Sequence, residues 1–130
     1  MDADGRSAYG AGVEHYEQGD YREAIRELLN SADLREHFKT CERLFDAYSA
    51  IGDEARADVW IGRAFALNPA NAQVACKFSE VLIREQRLAE AAQILQKLLA
   101  RHPSYGPARR LLRTIENGNE AAGPEGEEPI

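Results

Sequence analysis

The sequence predicts an all-α fold, an α-solenoid made of three helical hairpins with a seventh capping helix. Apolar residues recur at helical spacing, β-branched residues are few, and one kind of hairpin joint occurs three times in the 130 residues. A small residue one turn inside the second helix of each hairpin marks the period, because Ala24, Ala57 and Ala91 lie 33 and 34 residues apart. Pro69 and Pro103 are also 34 residues apart. Such periodicity is typical of stacked supersecondary units.

The joints between paired helices explain why each hairpin turns. At the first joint, Gly19 can end one helix in a left-handed conformation, and Asp20 can cap the next helix. The second copy of this joint is Ile51–Ala57, in which Asp53 is the expected cap, and the third copy is Glu85–Ala91. The alanine that follows each joint is small enough to let the second helix press against the first.

The apolar periodicity also predicts where the seven helices lie. They are expected at about Ser7–Gln18, Asp20–Arg35, Lys39–Ala50, from Asp53 to the Asn68-Pro69 stop, Ala72–Glu85, Leu88–Arg101 and Gly106–Glu116. The first should be the least stable, since Gly10 and Gly12 each cost roughly 1 kcal/mol relative to alanine. In the seventh, Leu111, Leu112 and Ile115 are expected to cover the apolar flank of the third hairpin, because the last unit of a repeat array has no following neighbour.

Charge is distributed unevenly along the predicted domain organisation. We expect a frayed N-terminus over residues 1–6, a repeat domain over 7–116 and a disordered acidic tail over 117–130. The net charge of −6 divides into −5 for residues 1–36, −1 for 37–71, +5 for 72–115 and −5 for 116–130. Opposite charges at the two ends of the repeat domain make weak self-association possible, although exposed pairs contribute only ~0–1 kcal/mol each.

Several functional classes are not expected. The polar start has no signal-peptide core and no run of eighteen apolar residues occurs, so we expect a cytoplasmic protein without a membrane partner. Cys41 and Cys76 are interpreted as small buried side chains rather than a redox pair. His37 and Cys41 lie four residues apart, but two ligands do not make a zinc site. The sequence has no defensible nucleophile–base pair and no dinucleotide loop, so neither an enzyme nor a cofactor is predicted.

The repeats resemble those of the tetratricopeptide repeat family, whose pattern is Trp-x2-Leu-Gly-x2-Tyr, then Ala-x3-Phe, then Pro. The corresponding residues are Ala8, Ala11, Gly12, His15, Ala24 and Leu28; then Cys41, Leu44, Phe45, Tyr48, Ala57, Ile61 and Pro69; then Ala75, Phe78, Ser79, Leu82, Ala91, Leu95 and Pro103. The resemblance covers about Ser7 to Ile115. The first repeat departs most, because Glu36 stands where proline is expected. All these matched residues are interpreted as packing residues.

The resemblance implies a binding surface between the packing positions, on the first helix of each pair. The candidate partner-binding residues are Tyr9, Val13, Tyr16, Lys39, Glu42, Arg43, Asp46, Cys76, Lys77, Glu80, Arg84, Arg110 and Thr114. The predicted function is a non-enzymatic protein–protein interaction module, an adaptor or scaffold that binds a partner peptide or helix in a concave groove. A self-assembling scaffold and a secretion-type chaperone are the alternatives. Nucleic acid is not expected, because aromatic residues do not interleave with the basic residues of the third repeat.

One subtype of the family can be tested on the residues. Repeats that grip the C-terminal carboxylates of heat-shock chaperones use Lys and Asn in the first repeat, Asn in the second, and Lys and Arg in the third. The corresponding positions here hold Tyr9, Val13, Arg43, Gln73 and Lys77. Both first-repeat ligands are missing, so the resemblance does not extend to that carboxylate clamp. We expect instead a partner with a hydrophobic anchor and an acidic segment.

Overall fold

The computed structural model describes the backbone of residues 4–122 and the side chains of residues 4–118. Its helices are α1 Arg6–Glu17, α2 Tyr21–Leu34, α3 Phe38–Ala50, α4 Glu54–Leu67, α5 Ala72–Arg84, α6 Leu88–Arg101 and α7 Gly106–Ala122. This described part contains no strand, so the predicted all-α class is confirmed, and the helix bounds lie within about one residue of the predicted ones, except at the end of α7. No helix in residues 4–122 has both the length and the apolar composition needed to cross a bilayer.

The two ends of the predicted repeat domain differ from the sequence expectation. The sequence places the start of the repeat domain at residue 7, and in the structure α1 begins at Arg6 and Gly5 is buried. The sequence places its end at residue 116, and in the structure α7 continues to Ala122. Gly118 weakens a helix, but Glu120, Ala121 and Ala122 are strong helix formers. Residues 1–3 and 123–130 lie outside the described residues.

The three hairpins turn through one backbone hydrogen-bond pattern. In the first, the Asp20 amide donates to the His15 carbonyl at 2.9 Å, and the Gly19 amide donates to the Tyr16 carbonyl at 3.0 Å. The same pair of bonds recurs at the second and third joints, and this arrangement satisfies carbonyls that a helix end leaves free. Gly19 has φ 83°, as predicted. The three joints therefore repeat in backbone structure as well as in sequence.

The predicted helix caps are confirmed at one joint and wrong at another. The Asp53 carboxylate accepts from the Arg56 backbone amide at 3.2 Å and caps α4. Asp20 makes no such side-chain bond to α2. Its carboxylate lies instead 3.6 Å from Nδ1 of the half-buried His15 in the preceding helix.

The third joint predicts a stabilising substitution. Gln86 occupies the left-handed position with φ 66°, where the second joint has Gly52 with φ 83°. This conformation costs an L-residue roughly 1–2 kcal/mol, which glycine would not incur. Glycine also has greater conformational entropy in the unfolded chain, and this offsets about 0.4–1 kcal/mol of that gain. Gln86→Gly should therefore raise the free energy of unfolding by about 0.5–1 kcal/mol in urea denaturation. Gly52→Ala should lower it, and a loss of stability in Gln86→Gly would contradict the expectation.

The chain divides into two compact units, Met1–Pro69 and Ala70–Ile130, here called the N-terminal and C-terminal units. In the N-terminal unit, α2 packs against α1 and α3, and α3 packs against α4. Its core cluster contains Ala24, Ile25, Leu28, Leu44, Ala47, Tyr48 and Ala57. Gly12 allows α1 to approach α2 closely, because a Cβ atom there would lie 2.6 Å from Cγ of the fully buried Leu28.

In the C-terminal unit, α5 packs against α6, and α7 packs against both of these helices. Val74, Leu82, Leu95 and Leu98 are buried in α5 and α6. On α7, Ala108 and Ile115 are buried, whereas Leu111 and Leu112 are half-buried. The predicted capping role of the seventh helix is confirmed, with Ile115 the most deeply buried of the three predicted side chains.

Candidate partner-binding surfaces

The candidates of the N-terminal unit form one stripe on each of two helices. The α1 stripe is Tyr9, Val13 and Tyr16, and the α3 stripe is Lys39, Arg43 and Asp46. Residues spaced by four and then three positions lie on one face of a helix, so each stripe faces a single direction. The two helices contact each other. All six side chains are half-buried except Lys39, which is exposed.

The structure joins the two stripes at Tyr16 and Arg43. The Arg43 guanidinium carbon lies 5.9 Å from the centroid of the Tyr16 ring, within reach of a cation–π interaction. Tyr21 meets the same ring edge-on, with centroids 5.2 Å apart and an interplanar angle of 63°. Tyr9 and Tyr16 also pack against the core cluster. Both tyrosines therefore have a packing role in addition to the surface role predicted for them.

A pocket of about 460 Å³ brings Tyr9 and Lys39 together. The other residues that line it are Asp4, Gly5, Arg6, Ser31, Arg35, His37 and Thr40. Val13, Arg43 and Asp46 are outside this described lining. Sequence reasoning identified two lining residues and missed the basic residues Arg6, Arg35 and His37. A signal for the last two was available, because Arg35, His37 and Lys39 alternate along the joint between the second and third predicted helices.

The candidates of the C-terminal unit lie on α5 and α7. Lys77, Glu80 and Arg84 are spaced by three and then four positions on α5, so they share one face. Burial, together with the Glu80 carboxylate, raises the pKa of the Cys76 thiol to about 11, and the Arg110 guanidinium opposes this shift. Glu80 of α5 and Arg110 of α7 thus act on one buried group. This electrostatic coupling places two predicted candidates in one neighbourhood.

Neither described cysteine has the properties of a reactive thiol. Both are free and buried, as the sequence predicted. Burial, together with the negative charge of Glu36, whose carboxylate accepts from Sγ at 3.7 Å, raises the pKa of Cys41 to about 12. At neutral pH both thiols stay protonated, whereas nucleophilic and redox chemistry requires the thiolate. Across the described side chains, no three His, Cys, Asp or Glu are grouped so that they could hold a metal ion.

No protein-family model and no curated protein sequence matches the chain. The fold, however, is similar to several solved structures. The first TPR of Spaghetti (RPAP3), bound to the HSP90 peptide SRMEEVD, has 21% identity and a TM-score of 0.78, over 92% of this chain and 96% of that one. The second TPR domain of human RPAP3, in complex with the HSP70 peptide SGPTIEEVD, has 18% identity and a TM-score of 0.73, over 87% and 95%.

A fungal domain is similar to the same degree. The TPR domain of Sgt2 from Aspergillus fumigatus has 16% identity and a TM-score of 0.77, over 97% of this chain and 85% of that one. These identities establish similarity of fold. Together with the recurrent joints, the three hairpins and the capping helix, they show that the chain has the tetratricopeptide repeat fold, an α-solenoid architecture.

Proposed function

We propose that this chain is a non-enzymatic protein-interaction module, a cytoplasmic adaptor or scaffold that binds a peptide or helix of a partner. The observation that carries the proposal is the pairing of Arg43 with the half-buried ring of Tyr16, on two contacting helices. Tyrosine and arginine are the residue types that anchor protein interfaces, because each combines a large apolar body with a directional polar group. Tyr9 and Lys39 extend this surface into the adjoining pocket.

The similar solved structures support a peptide as the partner. The RPAP3 domains are bound to HSP90 and HSP70 peptides that both end in Glu-Glu-Val-Asp. In this chain, Tyr9 and Val13 occupy positions where the carboxylate clamp of such domains has Lys and Asn. We therefore do not propose that this chain holds the C-terminal carboxylate of a peptide in the same way. An aromatic and apolar α1 stripe beside a cationic α3 stripe suits a ligand with a hydrophobic anchor and an acidic segment.

A second contact surface is proposed in the C-terminal unit. Lys77, Glu80 and Arg84 on α5, with Arg110 on α7, lie in the segment of residues 72–115 that carries a net charge of +5. Positive surface of this kind accelerates the approach of acidic partners and gives binding that weakens as salt screens the charges. We therefore expect Lys77→Glu to slow association with the partner more than it changes dissociation.

The proposal is tested by comparing partner capture by two charge-reversal variants. Arg43→Glu removes the cation from the Tyr16 ring, whereas Arg22→Glu makes the same charge change at an exposed position of α2. Proteins captured by the full chain are identified by mass spectrometry, and the affinity of each purified candidate is measured by calorimetry. We expect Arg43→Glu to lower the affinity for a true partner at least tenfold, and Arg22→Glu to change that affinity by no more than about twofold.

Two results would contradict the proposal. Equal affinity of Arg43→Glu and Arg22→Glu, with unchanged helicity by circular dichroism, would move partner binding to another face. A self-assembling scaffold would instead give multiples of the 14.5 kDa chain mass in light scattering, and the same Arg43 change would leave these assemblies intact.

A further inference from the structure

The pocket that contains Tyr9 and Lys39 lies where three segments of the N-terminal unit meet. The start of α1 contributes Asp4, Gly5, Arg6 and Tyr9; the end of α2 contributes Ser31 and Arg35; and the start of α3 contributes His37, Lys39 and Thr40. Its volume of about 460 Å³ falls in the range of ligand sites. We infer that this pocket binds an acidic segment of a partner peptide through the cations of Arg35 and Lys39.

The charge of the lining carries the inference. Arg6, Arg35 and Lys39 are cationic, and the one carboxylate among the lining residues, Asp4, lies 2.7 Å from Nε of Arg6. The balance is therefore +2 with His37 neutral, although residues 1–36 together carry −5. Arg35 and Lys39 form no ion pair with any other described residue. The lining therefore carries an excess of positive charge, to which an acidic ligand is complementary.

The floor of the pocket is held in place before any ligand binds. The buried Ser31 hydroxyl donates to the Gly5 carbonyl at 2.9 Å, a bond that joins the end of α2 to the start of α1. The Gly5 carbonyl also accepts from the Tyr9 amide at 2.8 Å. A fixed floor lowers the ordering cost of binding, so more of the electrostatic attraction is expressed as affinity.

His37 adds a hydrogen-bond donor whose tautomer follows from the geometry. Its Nδ1 accepts from the Lys39 backbone amide at 3.1 Å and caps α3. In the neutral imidazole, a nitrogen that accepts has no proton, so the proton is on Nε2, which can donate to a carboxylate. The ring stacks on Phe38 with centroids 4.9 Å apart, which restricts its orientation. The site therefore offers a hydrogen-bond donor beside its two cations.

The chemistry favours several carboxylates in one chain over a single small anion. Arg35 and Lys39 belong to different segments, so two acidic side chains of one extended peptide can reach them together. Tyr9 supplies an aromatic wall that a small inorganic anion would not use. The inference rests on the proposed function, since it assigns this pocket to the acidic part of the bound partner.

The test uses the full chain and a tetraglutamate peptide with both ends blocked, titrated by NMR at about 50 mM salt, where screening is modest. We expect saturable shifts of the Gly5, Arg6, Lys39 and Thr40 amides. Arg35→Glu with Lys39→Glu should weaken binding at least tenfold. The matched control is Arg22→Glu with Lys97→Glu, which changes the charge equally at exposed positions outside the pocket, and it should stay within about twofold.

Further arms separate the outcomes. Inorganic phosphate at equal ionic strength should bind with at least tenfold lower affinity, measured from the shifts of the same amides. If phosphate binds as tightly as tetraglutamate, the assignment to an acidic peptide is overturned. If the control double variant loses as much affinity for tetraglutamate, the effect comes from net charge alone and the pocket is not the binding site. If Arg43→Glu abolishes capture of an identified partner while the Arg35 and Lys39 changes leave it intact, the pocket inference fails and the proposed function stands. If Arg43→Glu has no effect on partner affinity but tetraglutamate still shifts the pocket amides, the pocket stands as an acidic-peptide site and the proposed Arg43–Tyr16 contact surface fails.

Discussion

Ending the chain at Tyr105, which removes α7, is expected to lower the free energy of unfolding by about 3–6 kcal/mol. Ile115 is buried and contributes about 1.5–3 kcal/mol, and the half-buried Leu111 and Leu112 contribute about half as much each. The apolar faces of α5 and α6 that α7 covers would be exposed at the same time. A loss of this size is comparable to the whole stability of a small domain, so the truncated chain should aggregate or unfold.

Thermal unfolding and size exclusion would measure the effect, and a chain ending at Ala122 is the control that retains α7. A milder test of the same role introduces asparagine at one of two adjacent positions of α7. Ile115→Asn should lower the melting temperature by several degrees, because it places an amide in a buried apolar site. Thr114→Asn should change little, since Thr114 is exposed. A soluble chain ending at Tyr105 with unchanged stability would refute the capping role of α7.

The features that could be predicted from the sequence are those encoded locally. Helix bounds follow from apolar periodicity, and several helix ends are marked by glycine or proline, as at Gly19 and Pro69. The third joint lacks that mark, yet Gln86 adopts the left-handed conformation because the same carbonyls must be satisfied there. The repeat period, rather than local residue type, made this joint predictable.

The features that could not be predicted depend on contacts between distant residues. Ser31 and Gly5 are 26 positions apart, so no local pattern reveals that their bond orders the start of the chain. The pocket gathers Arg6 and Arg35 from separate helices, and periodicity within one helix does not indicate which cations from two helices converge. Asp20 shows a different limit, because its position predicted a cap but its carboxylate makes no cap hydrogen bond and lies 3.6 Å from Nδ1 of His15.

A substitution at Gly5, a residue that the sequence places in the N-terminal segment 1–6, is expected to have a large effect on stability. Gly5 has φ 82°, and a Cβ atom there would lie 2.7 Å from the Ser31 carbonyl oxygen and 2.9 Å from Oγ. The left-handed conformation costs an alanine roughly 1–2 kcal/mol, and overpacking against a buried neighbour costs about 1–3 more. We expect Gly5→Ala to lower the free energy of unfolding by about 2–5 kcal/mol.

Urea denaturation of three variants would check the Gly5 prediction. Gly10→Ala is the matched control, because a Cβ atom at Gly10 meets nothing within 4 Å, and the better helix former should add up to about 1 kcal/mol. Ser31→Ala should cost only about 1 kcal/mol, since the Gly5 carbonyl keeps its bond from the Tyr9 amide. Opposite signs for the two glycine substitutions are the expected result. A stabilising Gly5→Ala would mean that the start of α1 is not held against Ser31 in solution.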